Sequence, residues 1–339
     1  MSRFQILSLS GGGIRGLYSI KVLALLEEQL AENNSDPTYN IAKHFDLITG
    51  TSVGGILALG LASGMNARQL LEVIDKNRTK IFDNPRKWRW PVIGKIFHTC
   101  HRAFKSLHDQ SALKEVLNGQ FGNKVIQDLE RPVVIPSING NTGEPKFFKT
   151  PHHISFTFDK NVRLVDVALA TSAAPTFFDP VNVVDSLMID GGLVANAPTL
   201  VGIHEAIHFL NVPQESVYLL NIGTLSEKIT LNSDRNKKRW GYLKAWGFGS
   251  TLIELTMSAN STMHNHIAKH MLKDRLLTLD DPNTKNQSTS LTLDNSSDEA
   301  AAMLRGKAYE KVKSEINSKQ LKGFFTHTPS KLHYSGLEV

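Results

Sequence analysis

The chain has 339 residues, of which 38 are Lys or Arg and 32 are Asp or Glu, so its formal net charge is +6. With 41% hydrophobic and 21% charged residues, its composition is that of a globular protein and excludes a disordered, collagenous or disulfide-scaffold chain. A single cysteine, Cys100, excludes an intramolecular disulfide, and the first residues show no secretory signal. We therefore expect a cytoplasmic protein.

Strand-like and helix-like segments alternate along the chain. Strands are predicted at residues 4–8, 45–49, 133–137, 187–189 and 217–222. Helices are predicted at about residues 16–32, 53–63, 164–172, 198–210 and 298–318, with another after Asn66. This alternation predicts an α/β fold, a three-layer sandwich with a mostly parallel central sheet.

Two further stretches are informative. The uncharged residues 47–67 are numerous enough for a transmembrane helix, but their glycines and internal turn signal favour a strand, a tight turn and a buried helix. Residues 280–297 are rich in Asn, Thr, Ser and Asp, so they are predicted to form a long polar loop.

We expect residues 4–210 to form a core and residues 211–339 to complete it or pack on it as one domain, because no linker divides the chain.

The positive charge is concentrated in one segment of the chain. Within the core, residues 78–105 form a basic, aromatic insertion with eight Lys or Arg, one Asp and five Phe or Trp. Such a segment is typical of contact with anionic lipid headgroups or phosphates, although a solvated helical excursion fits it as well. The candidate contact residues are Arg86, Lys87, Trp88, Arg89 and Trp90.

A shorter basic cluster lies at residues 235–240. Neither basic segment is accompanied by a zinc-finger, helix-turn-helix or RNA-binding motif. We therefore expect no nucleic-acid polymer as a partner.

Three consecutive glycines, Gly11, Gly12 and Gly13, lie between the first predicted strand and the first predicted helix. Their N–H groups are not covered by side chains and the helix N-terminus adds positive charge, so the loop is predicted to hold an anion. Gly11, Gly13 and Gly16 also match the G-x-G-x-x-G spacing, which makes a nucleotide-binding protein the alternative. In such a protein an acidic residue should end the second strand, whereas Gly-Thr-Ser-Val-Gly follows residues 45–49.

The segment from Gly50 to Gly54 matches the G-x-S-x-G pattern of a nucleophile elbow. An apolar strand leads into it and an Ala-, Leu- and Gly-rich helix leads out, which is the setting such an elbow requires. Gly50 and Gly54 would permit the sharp turn, with Ser52 at its apex. Alternatively, Ser52 merely caps the helix.

A serine nucleophile needs a base, and Asp190 is the candidate. It ends a predicted strand and is followed by Gly191 and Gly192, which would let a loop approach closely. Asp179 and Asp185 are rivals, but neither is followed by glycine.

Histidines offer other roles. His204 and His208 follow Asp190 in the order of an α/β-hydrolase triad, yet their spacing places them on one face of a predicted helix. His266 and His270 have a spacing that could hold a metal ion, but no acidic residue interrupts them as in H-E-x-x-H. We expect no metal site.

Taken together, the ordered motifs resemble the patatin-like phospholipase family. Residues 11–16 look like its oxyanion loop, residues 50–54 like its nucleophile motif and residues 190–192 like its Asp-Gly-Gly/Ala motif, with residues 172–175 also similar. Ser10 departs from the family, in which many members have Asp before the glycines. The resemblance covers roughly residues 4–210.

The resemblance implies a lipid acyl hydrolase with a Ser/Asp dyad that needs neither histidine nor calcium. Ser52 would attack the acyl carbonyl, Asp190 would accept its proton, and the N–H groups of Gly11, Gly12 and Gly13 would hold the oxyanion. The implied supporting residues are Arg15, Gly16, Gly50, Gly54, Gly191 and Gly192.

The general layout is also similar to bacterial patatin-like phospholipases that act as anti-phage (CBASS) effectors switched on by a cyclic dinucleotide. This resemblance implies two partners, a phospholipid membrane surface as substrate and a cyclic dinucleotide as activator, with the basic segments as candidate contacts for either. It implies a cytoplasmic enzyme that can lie peripherally on the inner face of the membrane. The sequence leaves open whether the chain forms a homo-oligomer.

Overall fold

The computed structural model describes residues 3–82, 108–225, 250–281, 291–330 and 334–337. The candidate contact residues Arg86, Lys87, Trp88, Arg89 and Trp90, together with Cys100 and the basic cluster 235–240, lie outside these ranges. Among the described helices, none is long and apolar enough to cross a bilayer.

A mixed β-sheet forms the middle layer. Its described strands are β1 (Phe4–Leu9), β2 (Leu47–Gly50), β3 (Val133–Asn139), β4 (Glu144–Lys149), β5 (Val181–Val183), β6 (Ser186–Asp190), β7 (Val217–Ile222) and β8 (Leu276–Leu279). They lie in the order β5-β6-β3-β2-β1-β7-β8, and β4 pairs with β3 off this path. The strands β3, β2, β1, β7 and β8 run parallel to one another. β4 and β6 each pair antiparallel with β3, and β5 pairs antiparallel with β6.

Helices cover both faces of the sheet. They are α1 (Gly16–Asn34), α2 (Val53–Ala62), α3 (Ala67–Phe82), α4 (Gln110–Phe121), α5 (Leu164–Thr171), α6 (Gly192–Ala195), α7 (Thr199–His204), α8 (Ser250–Leu272), α9 (Asp298–Glu315) and α10 (Lys319–Phe324). One turn of π-helix, Glu205–Phe209, continues α7.

The side chains of β1 show why there are three layers. Because successive residues of a strand point to opposite faces, Leu7 and Leu9 enter the core beneath α1, α2 and α5, while Ile6 enters a second core with residues of α7 and α8. All three are fully buried. A strand covered on both faces needs apolar residues at consecutive positions, as β1 has. The predicted α/β three-layer fold with a mostly parallel sheet is confirmed, and β4 and β6 are the described strands that run against the others.

Register along β3 brings two chain segments together. β2 pairs with β3 at Val133 and Val134, and β6 pairs with β3 from Ser137 to Asn139. Because β4 occupies the other edge of β3 over 134–139, β2 and β6 share one edge. They run in opposite directions along it, so their carboxyl ends face each other.

Two strands that follow residue 211 belong to the same sheet. β7 pairs with β1 over its whole length, and β8 pairs with β7. The single-domain organisation of residues 211–339 stays a prediction for the chain as a whole, and the described strands are in agreement with it.

Candidate active site

Ser52 lies on a sharp turn between β2 and α2. Its backbone has φ 55° and ψ −126°, a left-handed conformation that is costly for a residue with a side chain. A Cβ atom at Gly50 would overlap the carbonyl oxygen of Gly54, and one at Gly54 would overlap the carbonyl oxygen of Leu9. The turn therefore requires glycine on both sides of the serine.

Asp190 lies opposite this turn, at the carboxyl end of β6. The Ser52 hydroxyl donates a hydrogen bond of 2.8 Å to Asp190 Oδ2. The other carboxylate oxygen, Oδ1, accepts the Gly192 N–H at 2.6 Å. Asp190 is fully buried, whereas its rivals Asp179 and Asp185 are exposed. The facing ends of β2 and β6 thus bring together a hydroxyl and a carboxylate from distant parts of the chain.

The environment of Asp190 favours its neutral form. Burial raises the pKa of Asp190 to about 7, although the hydrogen bonds from Gly192 and Ser52 act in the opposite direction. Such a carboxyl group takes up and releases a proton near neutral pH, which is the behaviour expected of a general base.

Thr171 holds the backbone of the serine turn. Its hydroxyl oxygen accepts the Ser52 N–H at 3.0 Å, and the hydroxyl donates to the Pro136 carbonyl at 2.6 Å. The turn is therefore bonded to β3 through one side chain. Sequence reasoning missed this residue, although it directly precedes the family-like residues 172–175.

The glycine loop lies beside the serine turn but differs from the prediction in one donor. The Gly11 N–H donates to the Asn196 carbonyl at 2.8 Å, so it is engaged and the prediction that it holds an oxyanion needs correction. Within the described ranges, the N–H groups of Gly12 and Gly13 have no acceptor. Those two groups are the candidates for an oxyanion hole.

Residues from the second half of the chain hold this loop. Ile14 N–H donates to the Leu293 carbonyl at 2.9 Å, and the Thr224 hydroxyl donates to the Gly11 carbonyl at 2.8 Å. A Cβ atom at Gly13, whose φ is +56°, would overlap the Leu293 carbonyl oxygen. Part of the predicted polar loop is thus packed against the glycines, and its Leu291 and Leu293 side chains are buried.

The other predicted supporting residues serve packing and bonding. Arg15 Nε donates to the Gly12 carbonyl at 3.4 Å. A Cβ atom at Gly16 would overlap Val53, and one at Gly191 would overlap the Pro136 carbonyl oxygen, so each glycine permits a close approach.

The Ser52 hydroxyl donates to Asp190 and not to a histidine. His204 and His208 stack on each other with ring centroids 5.1 Å apart, and both are exposed. The rings of His266 and His270 are 4.3 Å apart. Within the part of the chain that the structure describes, no three His, Cys, Asp or Glu side chains are grouped as metal ligands.

A deep apolar cleft opens onto the serine and the aspartate. Residues of α3 and α4 form its walls, and almost all of its described lining is apolar. The apolar lining residues include Ile14, Val53, Ile56, Leu70, Val73, Ile74, Ile81, Phe82, Leu113, Val116, Leu117, Phe121, Phe177, Phe178, Met257 and Leu293. This apolar lining suits a hydrocarbon chain.

A serine on a strained strand-to-helix turn, a buried aspartate and a glycine loop define a hydrolase of the patatin type. Residues 7–203 match the family model described as patatin-like phospholipase, and the chain belongs to that family. The family resemblance drawn from the motifs is thereby confirmed.

The curated relatives are more specific. A cGAMP-activated phospholipase of Escherichia coli (strain TW11681) is 41% identical in an alignment 339 positions long. The alignment covers 95% of this chain and 93% of the relative. A protein of the same name from Vibrio cholerae serotype O1 is 38% identical, over 96% of this chain and 95% of its own. Among solved structures, VipD from Legionella pneumophila matches with a TM-score of 0.41 and 12% identity, over 97% of this chain and 74% of its own.

Proposed function

We propose that this lipid hydrolase is a phospholipase of the A type, which releases fatty acids from glycerophospholipids through Ser52 and Asp190. The observation that carries the proposal is the 2.8 Å hydrogen bond from the Ser52 hydroxyl to a buried carboxylate at the base of an apolar cleft. The nucleotide-binding alternative has no comparable support, because β2 leads into the serine turn and not to an acidic residue.

The proposed chemistry has two halves. Ser52 Oγ attacks the acyl carbonyl carbon while its proton passes to Asp190 Oδ2, and the N–H groups of Gly12 and Gly13 bind the oxyanion. The protonated Asp190 then gives the proton to the departing alcohol, which leaves an acyl-serine. In the second half, Asp190 takes a proton from water as the water attacks the acyl-serine, and it gives that proton to Ser52 Oγ as the bond from Oγ to the acyl carbon breaks, which releases the fatty acid and restores both residues.

We expect activity to rise with pH through the pKa of Asp190. Only the ionised carboxylate accepts a proton, so with a pKa of about 7, kcat/KM for a soluble ester should rise about tenfold per pH unit below 7 and level off above it. Because folding raises this pKa, the folded protein keeps a proton on Asp190 that the unfolded chain releases. The free energy of unfolding that Asp190 contributes therefore falls as pH rises towards 7. A stopped-flow or pH-stat profile, corrected with the Ser52→Ala variant, checks the first expectation, and a flat profile between about pH 5 and 8 would contradict it.

Chain-length selectivity tests the cleft as the acyl site. Val116 is half-buried in α4 and lines the cleft, so Val116→Trp should fill part of it. We expect kcat/KM for a sixteen-carbon acyl ester to fall roughly tenfold while that for a butyryl ester stays within about twofold. The reason is that the tryptophan occupies space in which methylene groups of the longer chain would otherwise be buried. Lys114→Trp, on the exposed face of the same helix, is the matched control. Equal losses on both esters would argue against this role of the cleft.

We infer, from the names of the relatives, that a cyclic dinucleotide switches the enzyme on, and we propose a role in anti-phage defence from the resemblance in general layout alone. The test is mass spectrometry of lipids from bilayers of phosphatidylethanolamine and phosphatidylglycerol, incubated with purified protein and a panel of cyclic dinucleotides that includes cGAMP. We expect free fatty acid and lysophospholipid to appear with one of them. A serine-directed fluorophosphonate probe should label Ser52, and failure of both assays would contradict a phospholipase.

We also propose that anionic membranes recruit the enzyme through residues 78–105. Phe82 and His108, which flank residues 83–107, contact each other at the cleft, with ring centroids 5.8 Å apart, and Phe82 lines it. A basic segment attached there would place the cleft near lipid.

Charge reversal tests this recruitment. The triple variant Arg86→Glu, Lys87→Glu and Arg89→Glu should bind phosphatidylglycerol vesicles at least about tenfold more weakly at low salt, and high salt should weaken the wild type similarly. A control with the same charge change on exposed lysines elsewhere is Lys269→Glu, Lys313→Glu and Lys319→Glu. Equal vesicle binding by the two triple variants in co-sedimentation would refute the proposal.

A further inference from the structure

We propose that Asn260 of α8 is a positioning residue for the reaction, because its side-chain amide holds both the segment that follows Asp190 and, through Asn196, the glycine loop. The inference rests on the proposed function and adds to it a residue from outside the matched family region.

The Asn260 amide makes two hydrogen bonds at opposite ends of the short helix α6. Its Nδ2 donates to the Gly192 carbonyl at 2.8 Å, and its Oδ1 accepts the Asn196 N–H at 3.0 Å. The first partner is an acceptor and the second a donor, so only one orientation of the amide satisfies both. One side chain thus spans the whole of α6.

Each of those bonded residues is also bonded to the catalytic groups. The Gly192 N–H donates to Asp190 Oδ1 at 2.6 Å, and the Asn196 carbonyl accepts the Gly11 N–H at 2.8 Å. The carboxylate and the oxyanion loop are therefore each one residue away from Asn260. No other described side chain bonds to the backbone at both ends of α6.

The helix α6 depends on such outside bonds. It has four residues, and a helix of that length has no stability of its own in water. Two neighbouring side chains of α8 contact the residues that directly follow α6. Ser261 Oγ accepts a hydrogen bond from Asn196 Nδ2 at 2.9 Å, and His264 Nδ1 lies 3.0 Å from the Ala197 carbonyl oxygen. At the Gly192 end, the Asn260 amide bonds to the Gly192 carbonyl, and the preceding backbone is held by the Gly191 N–H, which donates to the Thr171 carbonyl at 3.2 Å.

Loss of Asn260 should change chemistry more than substrate binding. The Gly192 N–H bond lowers the pKa of Asp190, so a Gly192 that is held less firmly should raise that pKa and move the acid limb of the pH profile upward. A slight displacement of the carboxylate or of the glycine loop should lower kcat roughly ten- to hundredfold. The apolar cleft, which binds the acyl chain, is left in place.

The test uses Asn260→Leu, which keeps the number and branching of the side-chain heavy atoms and removes both hydrogen bonds, in the full chain with cGAMP at saturation. Asn265→Ala is the matched control, because Asn265 lies on the same helix and, among the described residues, accepts a hydrogen bond from Thr199 Oγ1 at 3.3 Å. Hydrolysis of p-nitrophenyl butyrate gives kcat, KM and the pH profile, and thermal unfolding reports the fold.

For Asn260→Leu we expect kcat to fall roughly tenfold or more, KM to stay within about twofold, and the acid limb to move to higher pH. The control should keep the wild-type profile. A wild-type kcat and profile in a folded Asn260→Leu would overturn the inference, as would an equal change in the control. If Asn260→Leu does not fold, Asn260→Ser is measured by the same criteria.

Failure of this inference can be told apart from failure of the proposed function. Ser52→Ala is measured in parallel: if it loses activity while Asn260→Leu keeps it, the phospholipase stands and Asn260 has no positioning role. If the wild type hydrolyses no ester and takes up no fluorophosphonate probe, the proposed function itself is wrong, and this inference is overturned with it.

Discussion

Replacing Asp190 with Asn is expected to lower kcat for ester hydrolysis by about a thousandfold or more while the fold is kept. The amide has nearly the shape of the carboxylate, so the strands around it need not move. It cannot take the proton of Ser52, however, and its Nδ2 group would present a donor where the hydroxyl now finds an acceptor at 2.8 Å. Release of fatty acid from vesicles and of p-nitrophenol from a butyryl ester should fall together.

Asp185→Asn is the control for this variant. Asp185 is exposed at the turn before β6 and has φ 59°, a conformation that Asn also adopts readily. We expect it to keep the wild-type rate and thermal midpoint. An Asp190→Asn variant that retained more than about a tenth of wild-type kcat would remove Asp190 from the mechanism.

The second large effect is expected from Gly54→Ala. A single added methyl group would overlap the Leu9 carbonyl oxygen, which is part of the backbone of β1 and cannot rotate away. Either α2 moves away from the sheet or β1 shifts, and overpacking of this kind costs roughly 1–3 kcal/mol. We expect a thermal midpoint lower by several degrees and a loss of fluorophosphonate labelling at Ser52, because the serine turn moves with α2.

Gly119→Ala provides the comparison for Gly54→Ala. Gly119 is exposed within α4, and a Cβ atom there would meet no other atom within 4 Å. Because Ala is the better helix former by about 1 kcal/mol, the thermal midpoint should stay or rise. Similar behaviour of the two variants in differential scanning calorimetry would show that close packing at Gly54 is not needed.

The sequence predicts best those parts of the site that are local along the chain. The serine turn is such a part, because strand, Gly50, Ser52, Gly54 and helix follow one another directly, and the same holds for Asp190 with its two glycines. Each of these patterns depends on neighbouring residues, so alternation and turn chemistry are enough to find it. That Asp190 and Ser52 meet could only be inferred from the family resemblance, because the shared edge of β3 is a property of strand order.

The contacts that sequence reasoning missed join residues far apart in the chain. Asn196 and Asn260 are 64 positions apart, and Gly11 is bonded to Asn196 across a still longer stretch. An Asn in the middle of α8 looks like any polar helix residue until its partner is known. Likewise, the pairing of β8 depends on β7 and not on any local pattern of Leu276–Leu279, so that short strand was not predicted.

The position of β1 has a consequence for biosynthesis. Its partner β7 is synthesised about 200 residues later than β1 itself. At about 5–20 residues per second, the nascent chain carries Ser52 for tens of seconds before β7 can cover the open edge of β1. Asp190 and Asn260 also emerge late. A nascent chain that has not yet exposed these later residues therefore has the nucleophile without its base or its supports, and lipid cleavage must wait until they have been synthesised and have folded.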